Sequence, residues 1–155
     1  MKEYLISAFK YNEWANLKLI ERIKELPDKE QGIKFISHLI NSQLKWLSRI
    51  HQEPAAPQMS WWDPVYQLEE LEKRWKDSVA QWIQLLEATS EDTLTDYVRF
   101  IGFDGDRWEA RLSDIALQLN YHSIHHRAQM QTIIRKQGLE PDFLDYIGTV
   151  YRKLD

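Results

Sequence analysis

Three of the five histidines in this 155-residue chain fall within five positions, at His122, His125 and His126. Neutral imidazoles are good ligands for divalent ions and protonated ones carry charge near neutral pH, so their register decides what they can do. From Leu112 to about Lys136, the residues Leu112, Ile115, Leu119, His122, His126, Met130 and Ile133 recur at spacings of three and four, the buried stripe of an amphipathic helix. Two imidazoles in that stripe are costly for an apolar core, because each buried ring needs partners for two nitrogens. Four residues apart, His122 and His126 stand about 6 Å apart along the axis and about 40° around it, so both rings can turn onto one ion. A pair of core histidines hydrogen-bonded to neighbouring helices is the alternative at this point. His125 belongs to the polar row Gln118, His125, Thr132 and is expected to face solvent or a partner rather than join a ligand set. Position 123 is Ser, so the His-Glu-x-x-His pattern of zinc peptidases, with its general base, is absent.

Five further elements must position that helix. Lys2 to Leu26 reads as a first helix ended by Pro27-Asp28, with Leu5, Ala8, Asn12, Ala15, Leu19, Ile23 and Leu26 on one face. Asn12 interrupts this stripe and is a candidate for holding a ligand or substrate; bonding to a neighbouring helix is its plainer role. A second helix is predicted from about Lys29 to His51, with the stripe Ile33, Ile36, Ile40, Leu44 and Leu47. His38 lies off the centre of that stripe, so periodicity alone does not require its burial. His51, about 20 Å further along by helical rise, is expected to cap the helix or lie at the surface. The connection from Gln52 to about Pro64 carries Trp61-Trp62 and is long for a helix join; it either lies over the mouth of the bundle or packs its own tryptophans.

A third helix is predicted from about Tyr66 to Ala88, with Leu68, Leu71, Trp75, Trp82 and Leu85 inward. Between Thr93 and Leu112 the period changes to two, and Asp104-Gly105 supplies turn chemistry, which predicts a β-hairpin ahead of the histidine helix. That helix should close at Gly138, with Pro141 beyond it. A last short helix, Asp142 to about Lys153, is expected to cover the bundle's end with Phe143, Leu144, Tyr146, Ile147 and Val150.

Composition bounds the function. The 43% apolar content supports one domain over residues 1–155 with a substantial core. With no cysteine, the chain offers neither a disulfide nor a thiol nucleophile of its own. Its 20 basic and 24 acidic side chains are mixed in order and give a net charge of −4, which argues against a nucleic-acid partner. No apolar run approaches bilayer length, and the charged N-terminal residues lack the h-region of a signal peptide, so a cytoplasmic protein without a membrane partner is expected.

Three stretches carry a resemblance that spans nearly the whole chain. Tyr11-Asn-Glu-Trp-Ala-Asn16 resembles the helix-one motif of the DinB/YfiT-like family of metalloenzymes. His38-Leu-Ile-Asn-Ser-Gln-Leu-Lys-Trp-Leu-Ser-Arg-Ile50 resembles that family's helix-two segment, and His122-Ser-Ile-His-His-Arg-Ala-Gln129 resembles its His-x3-His-Arg-Gly-Gln helix. Asp145-Tyr146 is similar to its C-terminal helix. Ala128 stands where the family has Gly, a departure that touches no ligand. The resemblance implies a mainly all-α four-helix bundle with a short β-hairpin crossover and a C-terminal helix. It also implies a three-His site of His38, His122 and His126 for a divalent metal ion, zinc or nickel, and a homodimer in which His125, Arg127 and exposed aromatics serve the dimer face. Relatives of this type resemble low-molecular-weight-thiol S-transferases and isomerases of detoxification and stress response, in which a thiol cosubstrate attacks a small-molecule electrophile. A noncatalytic metal- or small-molecule-binding stress protein, its metal structural or sensory, is the competing expectation.

Overall fold

The computed structural model describes residues 1–154. Four long helices, α1 (Lys2–Glu25), α2 (Glu30–Ile50), α3 (Leu68–Ala88) and α4 (Leu112–Lys136), carry most of the chain, and an antiparallel hairpin of β1 (Tyr97–Ile101) and β2 (Arg107–Arg111) precedes α4. Helices α1 and α2 each pack between α3 and α4. A helix with two neighbours buries a wide arc. Accordingly α4 buries the predicted Leu112, Ile115, Leu119, His126 and Met130 and also a second row, Ala116, Asn120, Ser123, Arg127 and Ile134.

Local chemistry sets the element ends. Gln67 and Glu70 form a capping box that starts α3 at Leu68, two residues later than Tyr66, the residue predicted to open it. Gly138, at φ +84°, ends α4 in a Schellman motif: its N–H donates to Arg135 O at 3.0 Å and that of Leu139 to Ile134 O at 3.2 Å. In the expected hairpin, Val98 pairs with Ala110 and Phe100 with Trp108, and Gly105 turns the chain at φ +83°.

The core is aromatic at its centre. Trp75 and Trp82 are fully buried; Trp82 stacks on Phe9 with centroids 5.4 Å apart and donates from Nε1 to Gln43 O at 3.1 Å. Of the predicted α3 stripe, Leu71, Trp75 and Trp82 are buried, whereas Leu68 and Leu85 are only half-buried and Val79 and Leu86 take the inner positions.

The expected C-terminal helix is not formed. Residues beyond Pro141 run irregularly into a single 3-10 turn, Tyr146–Thr149, and only Leu144 of the five anticipated apolar residues is buried. Tertiary partners hold this segment open. Tyr11 donates its hydroxyl to Leu144 O at 2.6 Å, occupying a carbonyl that an α-helix would need, and Arg22 pairs with Asp142 at 3.0 Å. Phe143, Ile147 and Val150 are left exposed. No helix among the described residues is long and apolar enough to cross a membrane.

Truncating Trp82 removes both the stack and the indole hydrogen bond. Trp82→Ala is expected to destabilise the protein by about 3–5 kcal/mol, read from the denaturant midpoint at unchanged m-value.

Candidate metal centre

Packing of α2 against α4 brings His38 to the pair His122 and His126. The Nε2 of His122 lies 3.0 Å from that of His38 and 2.9 Å from that of His126. One ring nitrogen from each of the three can be chosen so that all lie within 4.8 Å of one another. Three nitrogens bound to one ion at about 2.0–2.1 Å with tetrahedral angles would sit ~3.3 Å apart, so the two spacings to His122 lie close to what an ion would set. His38 and His126 are buried and His122 is half-buried, which leaves the cluster open to the surface on the His122 side.

The other ring nitrogens fix which atoms point inward. His38 Nδ1 donates to the carbonyl of Trp61 at 2.7 Å, and His126 Nδ1 donates to Gln129 Oε1 at 2.6 Å. Both rings therefore carry their proton outward and turn a lone pair on Nε2 toward His122. A proton on His122 Nε2 could satisfy one of those lone pairs and not both. A cation at the centre would satisfy three at once, and the donor set is chemically matched to a borderline divalent ion.

Electrostatics agree with neutral rings. Burial first, then the neighbouring imidazoles His38, His126 and His125, push His122 down to about 4. Burial also lowers His38, against the opposing bond to Trp61, and His126, against the opposing bond to Gln129. Neutral imidazole is the form that binds metal.

The long connection after α2 is part of this site. Its backbone is held by α2 side chains: Asn41 Nδ2 donates to Pro64 O at 3.0 Å, Lys45 Nζ donates to Met59 O, and Ser37 Oγ accepts from Tyr66 N at 3.0 Å. Trp61 is thereby placed with its carbonyl on His38. Trp62 lays its indole flat on the His38 ring, with centroids 3.8 Å apart and planes 11° from parallel. Phe35 packs against His126 at 5.0 Å.

Neither Trp61 nor Gln129 was singled out from the sequence as supporting a histidine. The His126–Gln129 spacing of three was a readable signal, because such pairs face each other on a helix. A backbone carbonyl from a loop leaves no such mark. Asn12, a candidate for holding a ligand, takes the plainer of its two roles: it donates to Asn120 Oδ1 at 2.5 Å and accepts from Arg127 Nη2 at 2.8 Å on the neighbouring helix, and its hydrogen bonds reach none of the three histidines. Asn16, Ser123 and Tyr11 complete this second polar cluster between α1 and α4. His125 and His51 are exposed, as expected.

A family model described as DinB superfamily matches residues 21–130, which includes His38, His122 and His126. The chain belongs to the DinB superfamily. No curated protein and no solved structure matches it. The family match together with the three-His cluster fits a metal-binding DinB-like protein.

Because the folded pKa of His122 lies near 4 and its ordinary value is 6.5, the unfolded chain binds more protons between these limits. The metal-free protein should therefore be most stable above pH 6.5 and lose stability as the pH falls toward 4. His122→Gln should flatten that slope, as denaturant midpoints at stepped pH would show.

Proposed function

We propose that this DinB-superfamily protein is a divalent-metal-dependent enzyme of the low-molecular-weight-thiol S-transferase type, with His38, His122 and His126 as the metal ligands and zinc or nickel as the metal. The observation that carries the reading is the convergence of three imidazole Nε2 atoms, two of them with their protons fixed on the far nitrogen, in a cluster that reaches the surface. Three protein ligands leave a coordination position for a substrate, the arrangement that separates catalytic from closed structural sites. A divalent ion held there would supply Lewis acidity and favour the deprotonated form of a thiol or water in that position.

The chain's own residues do the rest. Trp61 and Gln129 hold the protons at His38 Nδ1 and His126 Nδ1, so each ring keeps the tautomer that binds. Trp62 covers one face of His38, and Phe35 packs beside His126, which limits water on that side. The nucleophile must come from outside, since the chain has no cysteine. In the proposed transfer a sulfur–carbon bond forms to the electrophile, the bond to its leaving group breaks, and the thiol proton passes to solvent.

Untagged protein is expected to hold about one divalent ion per chain by elemental analysis, and His38→Ala and His126→Ala to lose it. The loaded protein should then consume thiol in the presence of an electrophile, and both variants should lose that activity by a factor of at least about 100. Metal-dependent stability with no turnover over a panel of thiols and electrophiles would favour the noncatalytic metal-binding protein instead. No bound metal after incubation with zinc or nickel would remove both readings.

A further inference from the structure

A second candidate site lies three turns along α2 from the histidines. Eleven residues separate His38 from Arg49, which places them about 16 Å apart and within about 20° on the same helical face. Arg49 lines a cleft of about 690 Å³ between the end of α2, the turn at Ala56–Gln58 and the hairpin, a size that suits a small organic molecule.

Arg49 is a buried cation, only 6% exposed, and no carboxylate of the described residues pairs with it. Its Nη2 donates to Ile101 O at 3.0 Å, its Nε is sealed from solvent without a partner, and Nη1 makes no hydrogen bond to a described residue. Three aromatic rings hold the guanidinium in place: Trp46 at 4.6 Å, Trp61 at 5.0 Å and Phe100 at 4.5 Å. The nearby acids are engaged elsewhere. Glu53 accepts from Ser48 Oγ at 2.6 Å, and Glu109 pairs with Arg99 at 3.2 Å. Burial lowers the pKa of Arg49 with no anion opposing it. A buried charge of this kind is expensive unless a counter-charge arrives.

We propose that this cleft binds a small organic carboxylate, anchored by Arg49 Nη1 on its floor with the organic body against Trp108 and Phe100. The cleft favours this anion over phosphate for two reasons. Its balance is modest, Arg49, Arg99 and Arg107 against Glu53 and Glu109, and it offers one unpartnered guanidinium nitrogen, Nη1 of Arg49, beside aromatic walls rather than a ring of donors. The site stands independently of the metal reading, although the two share Trp61, whose carbonyl meets His38 and whose ring meets Arg49.

The test titrates benzoate and inorganic phosphate into the full chain, with and without chelator, by calorimetry and by the indole N–H resonances of the seven tryptophans. Benzoate should bind one to one, shift Trp46, Trp61 and Trp108 while leaving Trp14, Trp75 and Trp82 unchanged, and persist after chelation. Arg49→Gln should weaken it by about tenfold or more, the loss of one charge-assisted hydrogen bond. Should that variant fail to fold, Trp108→Ala on the exposed hairpin should weaken benzoate about threefold. Absence of saturation, phosphate binding as tight as benzoate, indifference to the folded variant, or loss of binding on chelation would each overturn the proposal.

Discussion

The proton on His38 Nδ1 has one acceptor, the carbonyl of Trp61 at 2.7 Å, and much of the site's arrangement follows from that bond. It fixes the His38 tautomer, and with it the direction of the Nε2 lone pair that meets His122 across the bundle. It also explains why the connection after α2 is long and tightly held. Asn41, Lys45 and Ser37 each spend a polar group on that loop's backbone, and Tyr66 returns one by donating its hydroxyl to Asn41 at 2.7 Å. Helix α2 is thus both the ligand-bearing element and the clamp for the loop that orients its ligand.

Buried polarity in this bundle is divided between two seams. The histidines join α2 to α4, whereas Asn12, Asn16, Asn120, Ser123 and Arg127 join α1 to α4. His126 and Arg127 are neighbours in sequence, yet they face different helices, because one residue along a helix turns the side chain by about 100°. The second seam also explains why a stripe drawn through one face of α4 undercounted its burial. Its members are hydrogen-bonded to one another, which makes their burial tolerable, and the hydroxyl of Tyr11 carries that seam on to the tail at Leu144.

Periodicity was enough to locate the four helices, because each has an apolar stripe, and Pro27 and Gly138 mark where α1 and α4 close. The hairpin was legible for the same reason, from a change of period around Asp104-Gly105. The pairing of His122 with His126 was legible as helical geometry, but His38 was not, since its position off the stripe's centre left burial open until the family resemblance was considered. What the sequence could not carry was contact made by backbone or by distant loops. The Trp61 carbonyl, the stack of Trp62 on His38, and the Tyr11 and Arg22 contacts that hold the last segment out of a helix are all tertiary choices. Phe143, Ile147 and Val150 show the hazard: helical spacing alone does not supply a surface for the stripe to cover.

A metal centre here requires that three imidazoles present Nε2 lone pairs to one point. Long-range ¹H–¹⁵N correlation spectra of the histidine rings test it most directly, recorded on metal-free protein and after one equivalent of zinc. The expected result is the Nδ1–H tautomer for His38 and His126 before zinc, and zinc-induced shifts of the Nε2 resonances of His38, His122 and His126 but not of His51. An Nε2–H tautomer at His38 and His126, or spectra that zinc leaves unchanged, would contradict it.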